Sequence, residues 1–176
     1  MKLGPKTKKN LEEAFAGESM ARNKYTFFAS VARKAGLIQI ANLFEETAGN
    51  EKEHAKLWAR HLGLIGEVKE NLSAAIAGEH YENSEMYIRM EEEAKAEGRP
   101  DIAKSFKEVG EAELAHENRY KKLLKNVEQN KVYKKDNAIR WKCNNCGYIH
   151  EGKEAPDECP ACKHPKGYFE VFTEAY

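Results

Sequence analysis

The chain has 176 residues and a mass of 20.0 kDa, enough for one substantial domain and a small module. Its 29 basic and 29 acidic residues cancel, so neither a nucleic-acid partner nor an acidic substrate is indicated. No apolar run approaches the roughly 20 residues of a membrane span, and the opening MKLGPKTKKNLEEAF turns amphipathic at once, which argues against a secretory signal and for the cytoplasm.

From Pro5 to about Asn130 the residues are mainly Ala, Glu, Lys, Leu and Met, with apolar positions at helical spacing. The punctuation predicts four helices. The first runs from Pro5, suited to a first turn, to Gly36, and the second from about Leu37 to Leu62, stopped by Gly63 and Gly66. The third starts at Asn71 or Ser73 as N-cap and ends at Gly98; the fourth runs from Pro100-Asp101 to near Asn126. A polar, lysine-rich stretch, NKVYKKDNAI, comes next, and the composition then shifts to Trp, Tyr, Phe, Gly, Pro and Cys. The expected organisation is a helical domain over 1–130, a connector over 131–138 and a cysteine module over 139–176.

The helical part repeats itself. Ala14-Phe15-Ala16-Gly17-Glu18 resembles Ala75-Ile76-Ala77-Gly78-Glu79, and, with a one-residue adjustment, Gly36, Ile40, Ala41, Phe44, Glu51 and His54 match Gly98, Ile102, Ala103, Phe106, Glu113 and His116. Each half thus carries one Glu followed by one Glu-x-x-His. Residues three apart on a helix lie about 60° apart, on one face. Leu43, Phe44, Ala48, Ala55 and Trp58 bracket Glu51 and His54, as Phe106, Val109 and Tyr120 bracket the second pair, which places the acids among apolar neighbours. Burying several carboxylates and imidazoles without partners costs several kcal/mol per charge. A pair of cations removes that cost. Carboxylate with imidazole suits iron or manganese, and one Glu from each of two helices with Glu-x-x-His from each of the others is the di-iron pattern of ferritin-like bundles. A single Glu-x-x-His on a charged helix is usually solvated; two copies in a duplicated pair point to metal. The symmetric set is Glu18, Glu51, His54, Glu79, Glu113 and His116.

One acid breaks the symmetry. Glu82 follows Glu79 by three residues, on its face, where the first half has Ala21; it offers one metal a choice between itself and His54. Tyr25, seven residues after Glu18, is placed to hydrogen-bond a ligating carboxylate, and Tyr87 is less well aligned with Glu79. His61 and His80 read as surface or helix-edge residues, His150 and His164 as loop residues of the cysteine module, and Trp58 as core.

All four cysteines lie in that module, in the run WKCNNCGYIHEGKEAPDECPAC. Two Cys-x-x-Cys knuckles make a tetrahedral four-thiolate site of Cys143, Cys146, Cys159 and Cys162, which takes zinc or iron. Cys-Gly-Tyr after the first knuckle, Cys-Pro at the third cysteine and the tail Tyr168-Phe169-Val171-Phe172 resemble rubredoxin, a one-iron electron carrier.

Nearly the whole chain resembles rubrerythrin, a ferritin-like four-helix di-iron bundle followed by a small rubredoxin-like iron/zinc-ribbon domain, so that the fold is mainly α. The stretches that carry the resemblance are AFAGESMARNKYTFFA, NEKEHAK, AGEHYENSEMY, AELAHE and WKCNNCGYIHEG with CPACKHPK. It implies di-iron ligands at Glu18, Glu51, His54, Glu79, Glu82, Glu113 and His116, rubredoxin ligands at the four cysteines, and three irons per chain. It also implies reduction of hydrogen peroxide to water, with one iron shifting between His54 and Glu82 as its oxidation state changes, and an external electron donor such as a rubredoxin or its reductase. The competing readings are a ferroxidase or iron-handling protein that uses oxygen, and a metal-stabilised scaffold.

The connection between the second and third helices is short for such a bundle. With those helices parallel, the chain must climb about 28 Å over about 9 residues, Gly63 to Asn71, that reach about 30–32 Å when extended. A homodimer with helix pairs exchanged between chains relieves the strain.

Overall fold

The computed structural model describes residues 3–174. They form two compact units, divided after Gly66.

The first unit is a hairpin of α1 (Pro5–Lys34) and α2 (Ile38–Leu62). Pro5 occupies the first turn of α1, where its missing N–H costs nothing. The residues that these helices bury are alanines, Ala29 and Ala32 on α1 and Ala41, Ala48, Ala55 and Ala59 on α2, small enough to let two backbones approach closely. Tyr25, Phe28 and Phe44 cluster beside them with ring centroids 5.6–6.2 Å apart. Gly63 ends α2 in the left-handed region at φ 70°, and the Leu64 and Gly63 N–H groups return to the carbonyls of Ala59 and Arg60. Trp58, expected in the core, is half-buried.

The second unit holds α3 (Val68–Tyr81), a π-helical segment (Glu82–Met86), α4 (Tyr87–Ala96) and α5 (Pro100–Glu128). The third helix starts earlier than its expected caps, Asn71 or Ser73. Glu67 caps it instead, in a reciprocal box with Glu70, whose carboxylate accepts the Glu67 N–H at 2.8 Å. The connector from α2 is therefore shorter than the sequence suggested. α5 packs against α3 and α4 and buries Ala103, Gly110 and Glu117. At Gly110 an added Cβ would stand 3.3 Å from that of Tyr87, so the close approach of the helices there uses the missing side chain.

The acids were expected among covered apolar residues, yet Leu43 is 56% and Val109 40% exposed. The reason is geometric: a helix pair has one seam, and an apolar face turned away from that seam gains no cover from its own hairpin.

A small antiparallel sheet completes the unit, ordered β2-β1-β3, with β1 at Lys134–Cys143, β2 at Ile149–Glu154 and β3 at Phe169–Val171. Residues 134–138, read from the sequence as connector, belong to β1; Lys134 pairs with Glu154 before a break in register to Ile139 opposite Gly152. Trp141, Cys143, Ala155, Cys159 and Phe169 form the core of this module, and the Trp141 indole donates to the Gly152 carbonyl at 3.0 Å.

Candidate metal centres

The two cysteine knuckles are built alike. The Gly147 N–H returns to the Cys143 carbonyl and the Lys163 N–H to that of Cys159, while the Cys143 and Cys159 N–H groups bond the carbonyls of Tyr148 and His164. Gly147 and Lys163 each take a positive φ, 79° and 62°, at the turn after the second cysteine of the knuckle. Sγ of Cys143 lies 3.7 Å from Sγ of Cys162, and Sγ of Cys146 3.7 Å from that of Cys159. Those separations are far too long for a disulfide. They match the edge of a thiolate tetrahedron around a metal at about 2.3 Å, which is about 3.8 Å. The thiols are unequal. The Tyr148 N–H favours the Cys146 thiolate, but burial and the sulfurs around it outweigh that and push its pKa up to about 12. The His164 N–H holds Cys162 down to about 6. Four crowded sulfurs at this spacing fit one cation that keeps them all as thiolates.

In the helical units the expected residues gather as two matched trios. Glu18, Glu51 and His54 meet in the first unit, and Glu79, Glu113 and His116 in the second, the potential ligand atoms of each trio lying within 4.8 Å of one another. His54 Nδ1 lies 3.0 Å from Glu51 and 3.8 Å from Glu18. His116 Nδ1 lies 2.6 Å from Glu113 and 3.6 Å from Glu79. The Glu18 carboxyl is raised above its ordinary value, chiefly by its hydrogen bond with Glu51, which as acceptor is lowered. Glu79 is raised by burial and then by the hydrogen bond with Glu113. Two crowded carboxylates beside an imidazole are a donor set that a divalent cation completes, and the trios fit iron in kind and number.

Glu82 stands outside both trios, although its charge is felt by Glu79 and by Tyr87. It opens the π-helical segment. That segment explains the one-residue adjustment in the repeat. Tyr25 follows Glu18 by seven residues and Tyr87 follows Glu79 by eight, and a π turn absorbs the extra one, returning Tyr87 to the angular position that Tyr25 holds. Burial, then the charges of Glu82 and Glu113, raise the Tyr87 hydroxyl. Tyr87 meets Phe106 with ring centroids 6.0 Å apart, as Tyr25 meets Phe44 at 6.0 Å.

Asn83 and Glu117 carry no sequence motif that singles them out. Glu117 is buried, and Asn83 donates to it at 2.9 Å. His80, read as a plain surface residue, is exposed, but its Nδ1 lies 3.1 Å from Glu117. The available signal was Glu117 itself, an acid where the first half has Ala55. His61 stacks on Trp58 with ring centroids 6.3 Å apart, and His164 meets the Tyr168 ring edge-on at 4.5 Å.

A duplicated helix pair bearing two glutamate–histidine trios, followed by a four-cysteine ribbon, defines a ferritin-like di-iron protein with a rubredoxin-like module. The family model described as Rubrerythrin matches residues 9–124, and the one described as Rubrerythrin, rubredoxin-like domain, matches residues 141–170. The chain belongs to the rubrerythrin family. It is similar to a rubrerythrin of Clostridium perfringens, 50% identical, with 98% of this chain and 97% of the relative covered. A rubrerythrin of Porphyromonas gingivalis is 47% identical over 98% of this chain and 93% of its own length. The nigerythrin of Nitratidesulfovibrio vulgaris is 33% identical, with 94% and 86% covered. Iron is the cofactor of this family, and the four cysteines and two trios are the candidates for holding it.

Proposed function

We propose that the chain reduces hydrogen peroxide to water at a di-iron site ligated by Glu18, Glu51, His54, Glu79, Glu82, Glu113 and His116, using electrons passed through iron at Cys143, Cys146, Cys159 and Cys162. One observation carries the reading: matched carboxylate–imidazole trios and a four-thiolate site occur in one chain. The reaction consumes hydrogen peroxide, two electrons and two protons and yields two waters. When bound, the two irons supply the electrons and the Lewis acidity for breaking the O–O bond.

The residues do the rest. Five carboxylates set against two imidazoles favour the more highly charged oxidised metals, and Glu82 is the anionic ligand that the first half lacks. The Glu18 carboxyl, raised chiefly by its hydrogen bond with Glu51, and that of Glu79, raised chiefly by burial, hold protons more firmly than ordinary carboxyls, so metal binding competes with protons at both. Tyr25 and Tyr87 orient ligating carboxylates by hydrogen bonding. The electrons come from outside, from a rubredoxin or its reductase, in the cytoplasm, where thiols stay reduced. No described helix is long and apolar enough to cross a membrane.

The working molecule is a homodimer with exchanged helix pairs. In a ferritin-like bundle with parallel second and third helices, the rise from Glu51 to Leu62 and from Val68 to Glu79 totals about 33 Å. The chain from Leu62 to Val68 reaches at most about 22 Å, and the curled Gly63 shortens it further. Two chains satisfy the ligand set where one falls short, with Glu18, Glu51 and His54 from one protomer and the remaining four ligands from its partner.

The peroxidase reading is tested by mixing the fully reduced protein anaerobically with hydrogen peroxide and, separately, with oxygen in stopped flow. Peroxide should oxidise both the bundle irons and the cysteine iron, and faster than oxygen does. Faster oxidation by oxygen would favour the ferroxidase reading.

A further inference from the structure

The π turn is pinned in place. We infer that Asn83 and Glu117 are positioning residues that lock the extra residue of the third helix between Glu82 and Tyr87, and so fix where Glu82 stands relative to Glu79 and Glu113. The inference rests on the di-iron reading for its consequence, though not for its geometry.

The Asn83 side-chain amide donates twice, to the Glu79 carbonyl at 2.6 Å and to Glu117 Oε2 at 2.9 Å. One group thereby ties the helix carrying Glu79 and Glu82 to α5, which carries Glu113 and His116. Glu117 is 2% exposed and is the one charged side chain buried among the described residues. Its other oxygen is held by Lys121, one turn along α5, and faces His80. A buried carboxylate with both oxygens engaged is a fixed acceptor, and removing a partner leaves a charge without compensation.

The first half of the repeat serves as an internal control. His80, Asn83, Glu117 and Lys121 correspond there to Ser19, Arg22, Ala55 and Ala59. That half folds as two uninterrupted α-helices, buries Ala55 where Glu117 would be, and has Ala21 in place of Glu82. A methyl group suffices to pack the hairpin. The four polar residues, the π turn and the extra acid are present together in one half and absent together from the other. An unpinned bulge can migrate along its helix, and each residue of migration turns the side chains it passes by about 100°. Moved toward the N-terminus it swings Glu82 off the face of Glu79; moved toward the C-terminus it swings Tyr87 away.

The test uses the full-length iron-loaded protein with the substitutions Asn83→Ala, Glu117→Ala, Glu117→Gln and Glu82→Gln. Redox titration follows the bundle irons, with the cysteine iron as internal reference, and amide hydrogen exchange follows Tyr87 in the iron-free chain. Asn83→Ala and Glu117→Ala should each shift the bundle potential in the direction of Glu82→Gln, by at least half as much, and leave the cysteine iron unchanged. Asn83→Ala combined with Glu82→Gln should add little to Glu82→Gln alone. Glu117→Gln, which keeps an acceptor for Asn83, should behave like the unsubstituted protein. Tyr87 exchange should accelerate at least tenfold in both alanine variants and not in Glu82→Gln. If Glu82→Gln shifts the potential and the alanine variants lower only the thermal midpoint, the positioning role is wrong. If Glu82→Gln shifts nothing, Glu82 is no ligand, and the pin then stands or falls on the Tyr87 exchange alone.

Discussion

The Tyr87 N–H bonds the carbonyl of Glu82, five residues back, where an α-helix would direct it to Asn83. The wide turn lets the second half carry one residue more than the first while Tyr87 and the rest of α4 keep their helical phase. Deleting Ser84, inside the wide turn, should therefore leave an unbroken α-helix in which Tyr87 follows Glu79 by seven residues and still meets Phe106, now 6.0 Å away ring to ring. A crystal structure of the deletion variant checks the register. A Tyr87 ring turned away from Phe106 would contradict the repeat alignment.

Protein from iron-replete cells should carry three irons per chain. Cys143→Ser should remove one of them and abolish thiolate-to-iron absorption while two remain, because Cys143 belongs to the buried core of the ribbon and to the four-cysteine group, not to either trio. Elemental analysis beside the visible spectrum decides this. Zinc at the cysteines would end the electron-transfer role assigned to them.

Exchange of helix pairs makes an unusual demand on mutants. Chains with Glu51→Ala and chains with Glu113→Ala should each be inactive, yet a mixed dimer refolded from both should regain one intact site, about half the bundle iron and half the activity of the unsubstituted dimer. No recovery in confirmed mixed dimers would place each site within a single chain.

Asp101 sits in the first turn of α5, where Arg99 donates to both its oxygens at 3.1 and 2.8 Å and lowers its carboxyl below 3.8. An acid lowered on folding stabilises the fold above its unfolded value, and the contribution disappears as pH falls through the folded one. Asp101→Asn should thus lower the thermal midpoint by a degree or so at pH 7, about what one exposed charge at a helix N-terminus contributes. The difference should shrink as pH falls below 3.8 and through the lowered folded value. A gap that persists in acid would assign the effect to packing.

Much of the fold and of the candidate metal sites is legible in the chain because the candidate ligands repeat and helix stops are chemically distinct. The trios fall where the Glu-x-x-His spacing put them, and Gly36, Gly63 and Gly98 end helices as their freedom at positive φ allows. The start of α3 was misread because Asn71 and Ser73 are better caps taken alone, whereas Glu67 works only through its reciprocal bond with Glu70. The π turn was visible as a mismatch of one residue, but a mismatch does not say where a helix widens. The Asn83–Glu117 bond joins residues 34 apart, a pairing that periodicity along one helix cannot supply.

Locality of contact sets a timetable for synthesis. The α1–α2 hairpin is complete once Leu62 has been made, whereas α5 ends at Glu128, so at about 5–20 residues per second the first hairpin waits roughly 3–13 s for the second. Through that interval Phe27, Val31 and Leu43 stay open to water. Successive ribosomes on one message that are closer together than the stretch from Leu62 to Glu128 expose such hairpins at the same time and at high local concentration. If helix pairs are exchanged as proposed, a partner would be at hand before the chain's own second half exists, and pairing between sister chains would begin during translation rather than after release.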